Sequence, residues 1–148
     1  MVRSPSTSRL SASSTVAQPH EVGHHGADSD ILPKGTPVKY LLYVNNRSST
    51  RTDVSVRDVL DPAFAYQIAT LRGDNTVGEC ATSPCSAAEE ASIFAAVDDN
   101  AASTDAVDGD VVSVTGTTID AGNQNAANGQ LDMTANKVWA LLITVKMQ

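Results

Sequence analysis

The sequence predicts an all-β domain, and three observations carry that prediction. Residues 36–45 alternate with period two, placing Val38, Tyr40, Leu42 and Val44 on one face and Lys39 and Asn45 on the other. The stretch from Asn45 to Thr52 has no large apolar residue and reads as a loop, after which Val54 and Val56 resume the alternation. That pattern fits a hairpin or a strand crossing from one sheet to another. The run Lys137 to Val145 is apolar on both faces, with Val138, Ala140 and Leu142 on one and Trp139, Leu141, Ile143 and Val145 on the other. An antiparallel strand with one wet face alternates apolar and polar residues. This strand is therefore central and covered on both sides, or one side meets a neighbouring subunit or the N-terminal segment.

Strands are expected over 36–45, 53–60, 63–70, 93–97, 111–119 and 137–147. Ser86-Ala87-Ala88-Glu89 has the form of a capping box and predicts a short helix over 87–92. Ile93, Phe94 and Val97 either extend that helix or open a strand. Asp108-Gly109 is a hairpin-turn signal between Ala106-Val107 and Val111-Val112. Residues 123–130, rich in Asn, Ala and Gly, read as a loop.

These positions also resemble a known family. Gly35, Val38, Tyr40, Val44, Asn46, Val54, Val56, Asp58, Leu60 and Pro62 are similar to the pattern of the conserved surface repeat domain of bacterial and archaeal surface proteins, catalogued as domain of unknown function eleven. The run Lys137 to Val145 looks like that family's closing strand. The resemblance covers about residues 33–70 and 130–148. It implies an immunoglobulin-like β-sandwich used as a building block on cell surfaces and fibres, and it implies no catalytic residues. The family usually occurs as tandem repeats, whereas a single copy is present here.

Residues 1–30 differ in composition. Ser, Thr, His, Gly and Pro dominate, and the large apolar residues are Leu10, Val16 and Val22. Such a segment cannot bury a core of its own. The division expected is an extended N-terminal arm over 1–30 and a sandwich domain over 31–148. The arm pairs with another copy of the chain or packs back on its own domain. In the first case Leu10, Val16 and Val22 are its apolar anchors and Trp139 is a candidate assembly residue on the domain.

A net charge of −7 argues against nucleic-acid binding, which needs a basic face, and against an anionic membrane surface. No stretch approaches the ~20 apolar residues of a membrane helix, so no membrane insertion is expected. The hydrophobic fraction of 41% suits one core, but aromatics are only 4%, so the core is expected to be thin. The first 30 residues carry Arg3 and Arg9 without the apolar segment of a secretory leader. An extracellular, cell-surface location thus expects a leader that lies upstream or has been removed.

Cys80 and Cys85 sit in a turn-rich stretch with Gly78 and Pro84, and a disulfide closing that small ring is expected in an oxidising compartment. His20-Glu21-Val22-Gly23-His24 matches the zinc-protease signature. The chemistry needs both histidines on one helical face, and Pro19, Gly23 and Gly26 oppose a helix there. His20, His24 and His25 remain weak metal candidates. Asp98, Asp108 and Asp110 belong to an acidic cluster that could offer oxygen ligands to calcium, although the spacing is not that of an EF-hand. Asn46-Arg47-Ser48 is a glycosylation sequon. All three histidines precede residue 26, so no imidazole in the folded region can activate a serine or cysteine. The sequence therefore predicts a non-enzymatic protein without a cofactor. Its expected partners are other copies of itself in a helical homopolymer, and the alternative is a monomeric adhesion or ligand-binding module.

Overall fold

The computed structural model describes residues 33–148 and the backbone of one earlier strand, β1 (Ala12–Val16). After it come β2 (Pro37–Asn46), β3 (Arg51–Val54), β4 (Val56–Val59), β5 (Phe64–Tyr66) and β6 (Arg72–Asp74). The helix α1 (Ala87–Asp98) follows, then β7 (Val112–Thr115), β8 (Thr118–Ala121), β9 (Leu131–Met133) and β10 (Lys137–Met147). The fold is all-β and sandwich-like, with one short helix.

The two long strands, β2 and β10, run antiparallel through ten registered pairs from Lys137 opposite Asn46 to Lys146 opposite Pro37. Both are buried on both faces, as the uninterrupted apolar run of β10 requires. Trp139, Leu141, Ile143 and Val145 join Val38, Leu42 and Val44 in one core. Facing them are Val112, Ile119, Ala121, Leu131 and Met133, supplied by the three-stranded sheet β4-β8-β7 and the pair β3-β9. On the opposite face Val138, Ala140 and Leu142 join Leu41 and Tyr43 against Ile93 and Val97 of the helix and the two cysteines. The β2–β10 pair therefore separates two cores.

The far edge of β10 is closed in pieces. β5 pairs with Val145–Met147, β6 pairs with Ala140–Leu142, and Gly78 bridges Lys137. Three short pieces cap an edge without offering a long template to another chain. Among the described residues, the outer edge of β2 is covered by β1 alone.

The helix forms where the capping box lies. The Ser86 side chain accepts from the Glu89 N–H, and the Glu89 carboxylate accepts from the Ser86 N–H at 2.8 Å. Ile93 and Val97, one turn apart, are both fully buried. The strand expected over 93–97 is thus helix, because the same two residues that alternate poorly as a strand share one helical face.

Other boundaries also differ from expectation. The strand expected over 53–60 is two strands in different sheets. Asp53 takes a positive φ of 58° and the pairing of β3 with β9 shifts register there, so the chain turns from one sheet to the other at Ser55. Gly122 makes that crossing possible. Its φ is +84° and a Cβ there would lie 2.2 Å from the Val54 carbonyl oxygen. The strand expected over 63–70 stops at Tyr66, because the Ala69 backbone, at a φ of 57°, turns to donate to Asp105. The segment 111–119 is a hairpin. Its two-residue turn is Gly116-Thr117, with glycine at positive φ in the first central position. Asp108-Gly109 is not a hairpin turn; its carboxylate instead accepts from the Asp110 N–H, and no strand forms at 106–107. The loop expected from Asn45 begins later, since Asn45 and Asn46 finish β2.

Trp139 tests this packing. It is 5% exposed and sits inside the first core. Its emission should be blue-shifted, and Trp139→Ala should cost about 3–5 kcal/mol in denaturant unfolding of the unassembled chain. Red-shifted, easily quenched fluorescence would place the indole in solvent and contradict the packing.

Candidate assembly site

The edge of β2 is the feature of the domain most suited to a partner. β1 lies antiparallel on it, with Ala12 opposite Val44 and Val16 opposite Tyr40. Among the described residues no other strand pairs with that edge, and β1 spans only five of the ten residues of β2. Val16 therefore falls within the arm strand that meets the domain. Leu10, Val22, His20, His24 and His25 lie outside the described residues.

Two asparagines fix the end of this acceptor strand. The Asn45 amide donates to the carbonyls of Cys80 at 3.3 Å and Thr82 at 3.2 Å, and its oxygen accepts from the Cys80 N–H at 3.1 Å. The Asn46 amide donates to the carbonyls of Ser49 at 3.1 Å, Thr134 at 2.8 Å and Met133 at 3.4 Å. Asn46 is 2% exposed. In the folded domain the amide of the Asn46 sequon is buried and committed to the backbone.

Cys80 and Cys85 form the expected disulfide, with their Cα atoms 5.4 Å apart. A ring this small contributes about 2 kcal/mol by loop-entropy reasoning. The same loop is held by Glu89, whose carboxylate accepts from Ser86 and from the Ala81 N–H at 2.8 Å. Those bonds, the Ser86 hydroxyl first, hold the Glu89 carboxyl below its ordinary value. Cys85 N–H also donates to the Tyr43 hydroxyl, which in turn donates to Glu90 at 2.8 Å. The disulfide loop, the helix and β2 are thereby one unit.

The acidic residues are spent on structure. Asp98 pairs with Lys39 at 2.6 Å, and the Lys39 ammonium lies 5.9 Å from the centre of the Phe94 ring. Asp108 accepts from the Thr104 hydroxyl at 2.7 Å, and Asp110 accepts from the Thr104 N–H at 2.8 Å. The calcium expectation groups Asp98 with Asp108 and Asp110. Among the described residues no three carboxylate, thiol or imidazole groups are placed to hold a metal ion. Arg57 makes a bidentate pair with Asp120 at 2.7 and 3.0 Å across the paired strands β4 and β8.

An open cleft of about 450 Å³ lies over Trp139, rimmed by Asp74, Asn75, Asp110, Gln130 and Asp132. Burial raises the Asp74 carboxyl, but hydrogen bonds from the Thr76 backbone and side chain, Asn100 and the Val77 backbone outweigh it and hold the group below its ordinary value. Asp132 accepts from the Asp53 N–H at 3.0 Å and from Gln130 at 2.8 Å. These are acceptors fixed in place by their own chain. The cleft therefore offers hydrogen bonds to a polar ligand.

The strand β1 was not expected, since Ala12-Ser13-Ser14-Thr15-Val16 has one large apolar residue and no alternation. Nor were β9 and the cleft, whose side chains come from segments far apart in the chain. Among the described residues no helix is long and apolar enough to cross a membrane. Comparison with known proteins returned no match to a family model, a curated protein or a solved structure.

Two tyrosines of the sandwich give the fold an alkaline limit. The Tyr66 hydroxyl is pushed up to about 12 by burial and by donating to Asp105 at 2.6 Å, and Tyr40 is raised further by burial and its 2.7 Å bond to Asp58. The unfolded chain loses these protons first, from about pH 10, so it binds fewer protons than the folded chain above that pH. Stability should therefore be constant with respect to these groups below about pH 10 and fall as the pH rises through 12. Ultraviolet tyrosinate absorbance should rise together with unfolding in an alkaline titration. Ionisation of all three tyrosines near pH 10 in a chain that stays folded would contradict both hydrogen bonds.

Proposed function

We propose that the chain is a structural subunit of an extracellular filament or pilus-like fibre, and not an enzyme. An immunoglobulin-like sandwich assembles head to tail as the N-terminal arm of one copy adds as a β-strand to the sheet edge of the next. The observation that carries this reading is the β2 edge: a ten-residue strand buried on both faces whose outer side accepts a strand from the arm. Strand addition supplies affinity through main-chain hydrogen bonds and needs little sequence information in the donor. That explains how Ala12–Val16, poor in apolar residues, can still dock. A contact between unlike surfaces propagates unless it closes into a ring. The disulfide suits an oxidising compartment, and the resemblance to surface repeat domains points the same way.

A second reading, a monomeric adhesion or ligand-binding module, draws support from the pairing of β1 with β2 of its own chain and from the polar cleft over Trp139.

Negative-stain electron microscopy separates the two. The full chain should form filaments, and the chain lacking residues 2–28 should remain folded and soluble without assembling. Filaments of unchanged form from the truncated chain would show that the arm is not the linker. A full chain that stays a 15.4 kDa monomer at every concentration would favour the module.

A further inference from the structure

The connection between β1 and β2 is too long for the pairing it serves. Val16 lies opposite Tyr40, only a few residues from the start of β2 at Pro37, so antiparallel neighbours of this register could be joined by a short hairpin. Hairpin loops need 2–5 residues. Here residues 17–36 intervene, twenty in all. A segment of that length can span roughly 65–70 Å when extended, farther than the width of a domain this size. The connection is thus long enough for the strand to reach either its own β2 or that of another molecule.

We infer that β1 is an exchangeable cap: in the dilute chain it closes the β2 edge of its own domain, and in the assembled form the same five residues occupy, in the same register, the β2 edge of a second copy. This rests on the filament reading and names the donor strand, the acceptor and the switch between them. Other edges fit less well. β4 and β7, the outer strands of the second layer, are four residues each, and the far edge of β10 is already taken by three short pieces. Among the described residues, β2 is the long strand packed on both faces whose outer edge is held by one short strand, β1.

Exchange conserves the β1–β2 hydrogen bonds, so the balance is set by concentration and by whatever contacts adjoining domains add. With twenty residues joining it to β2, the strand meets its own edge at an effective concentration of order millimolar. Closed monomers therefore predominate in dilute solution, and assembly begins above a threshold concentration.

The test uses full-length chains carrying one new cysteine each, Val16→Cys in one preparation and Tyr40→Cys in the other. Directly opposed residues in an antiparallel pair bring their Cβ atoms to within about 4.5–5.5 Å, close to disulfide reach. The two preparations are mixed at an assembling concentration and oxidised. Exchange predicts a disulfide-linked dimer containing one chain of each kind, identified by mass, that disappears when the mixture is diluted before oxidation. A double variant should close within one chain when dilute and give a ladder when concentrated. In parallel, an excess of a peptide of residues 10–18, added to the unaltered chain, should shorten the filaments by capping free β2 edges; this measurement survives a failure of either cysteine variant to fold. Exchange is overturned if the mixture gives no heterodimer while the double variant closes internally at every concentration, or if the peptide leaves filament length unchanged. Filaments with no mixed cross-link would leave the fibre standing and remove exchange. Mixed cross-links in closed dimers with no filaments would keep exchange and remove the fibre.

Discussion

The antiparallel pairing of β2 with β10 is the constraint on which the rest of the structure depends. Its ten registered pairs align two strands that are apolar on both sides, and each side then demands cover. One side receives the second layer of strands, the other the helix and the disulfide loop. A slip of one residue would exchange the two faces of β10 and send Trp139 toward the helix, so the register is set by both cores at once. The asparagines at the end of β2 reinforce it, Asn45 toward the disulfide loop and Asn46 toward β9. Little aromatic mass is needed for this, because the cover is spread over two thin cores.

The same constraint creates the vulnerability. β10 sits inside the sheet with both edges engaged, while β2 has its outer edge dependent on a five-residue strand reached through a long connection. Closing a twenty-residue loop costs about 1.4 kcal/mol more than closing one of four, by the logarithmic dependence of loop entropy on length. That is a modest difference, enough to loosen the cap without abolishing it. A long strand buried on both faces whose outer edge is held by a five-residue strand is suited to accept a strand from elsewhere, and the proposed fibre uses that property.

Much of this fold could be read from the sequence, and the failures have physical causes. The need for cover on both sides of β10 was legible because Val138–Ile143 has no polar residue on either face, although a subunit or the N-terminal segment could equally have supplied it. The helix start was legible because Ser86 and Glu89 satisfy each other's backbone groups locally. What escaped were features decided by distant partners. Asn46 looks like a loop residue with a sequon, yet its amide is claimed by carbonyls near residue 134. The break between β3 and β4 depends on Gly122, across the sheet crossing. The Gly116-Thr117 turn was hidden inside an apolar alternation, while Asp108-Gly109 carried a turn signal that Thr104 diverted into a side-chain clasp. The candidate site divides in the same way. Composition set residues 1–30 apart, but the strand Ala12–Val16 and its register were not legible, because they depend on pairing with β2.

Residue-resolved amide hydrogen exchange tests the central claim most directly. In the dilute chain the amides of Val138–Val145 should exchange slowest, through global unfolding, together with the β2 amides that face β10. The amides of Tyr40–Val44 that face β1 should exchange much faster, through local release of the cap, and should become protected as the protein concentration is raised through assembly. Outward β2 amides as slow as those of β10 at every concentration would contradict a releasable edge. So would β10 amides that exchange as readily as those of the short β3–β9 pair.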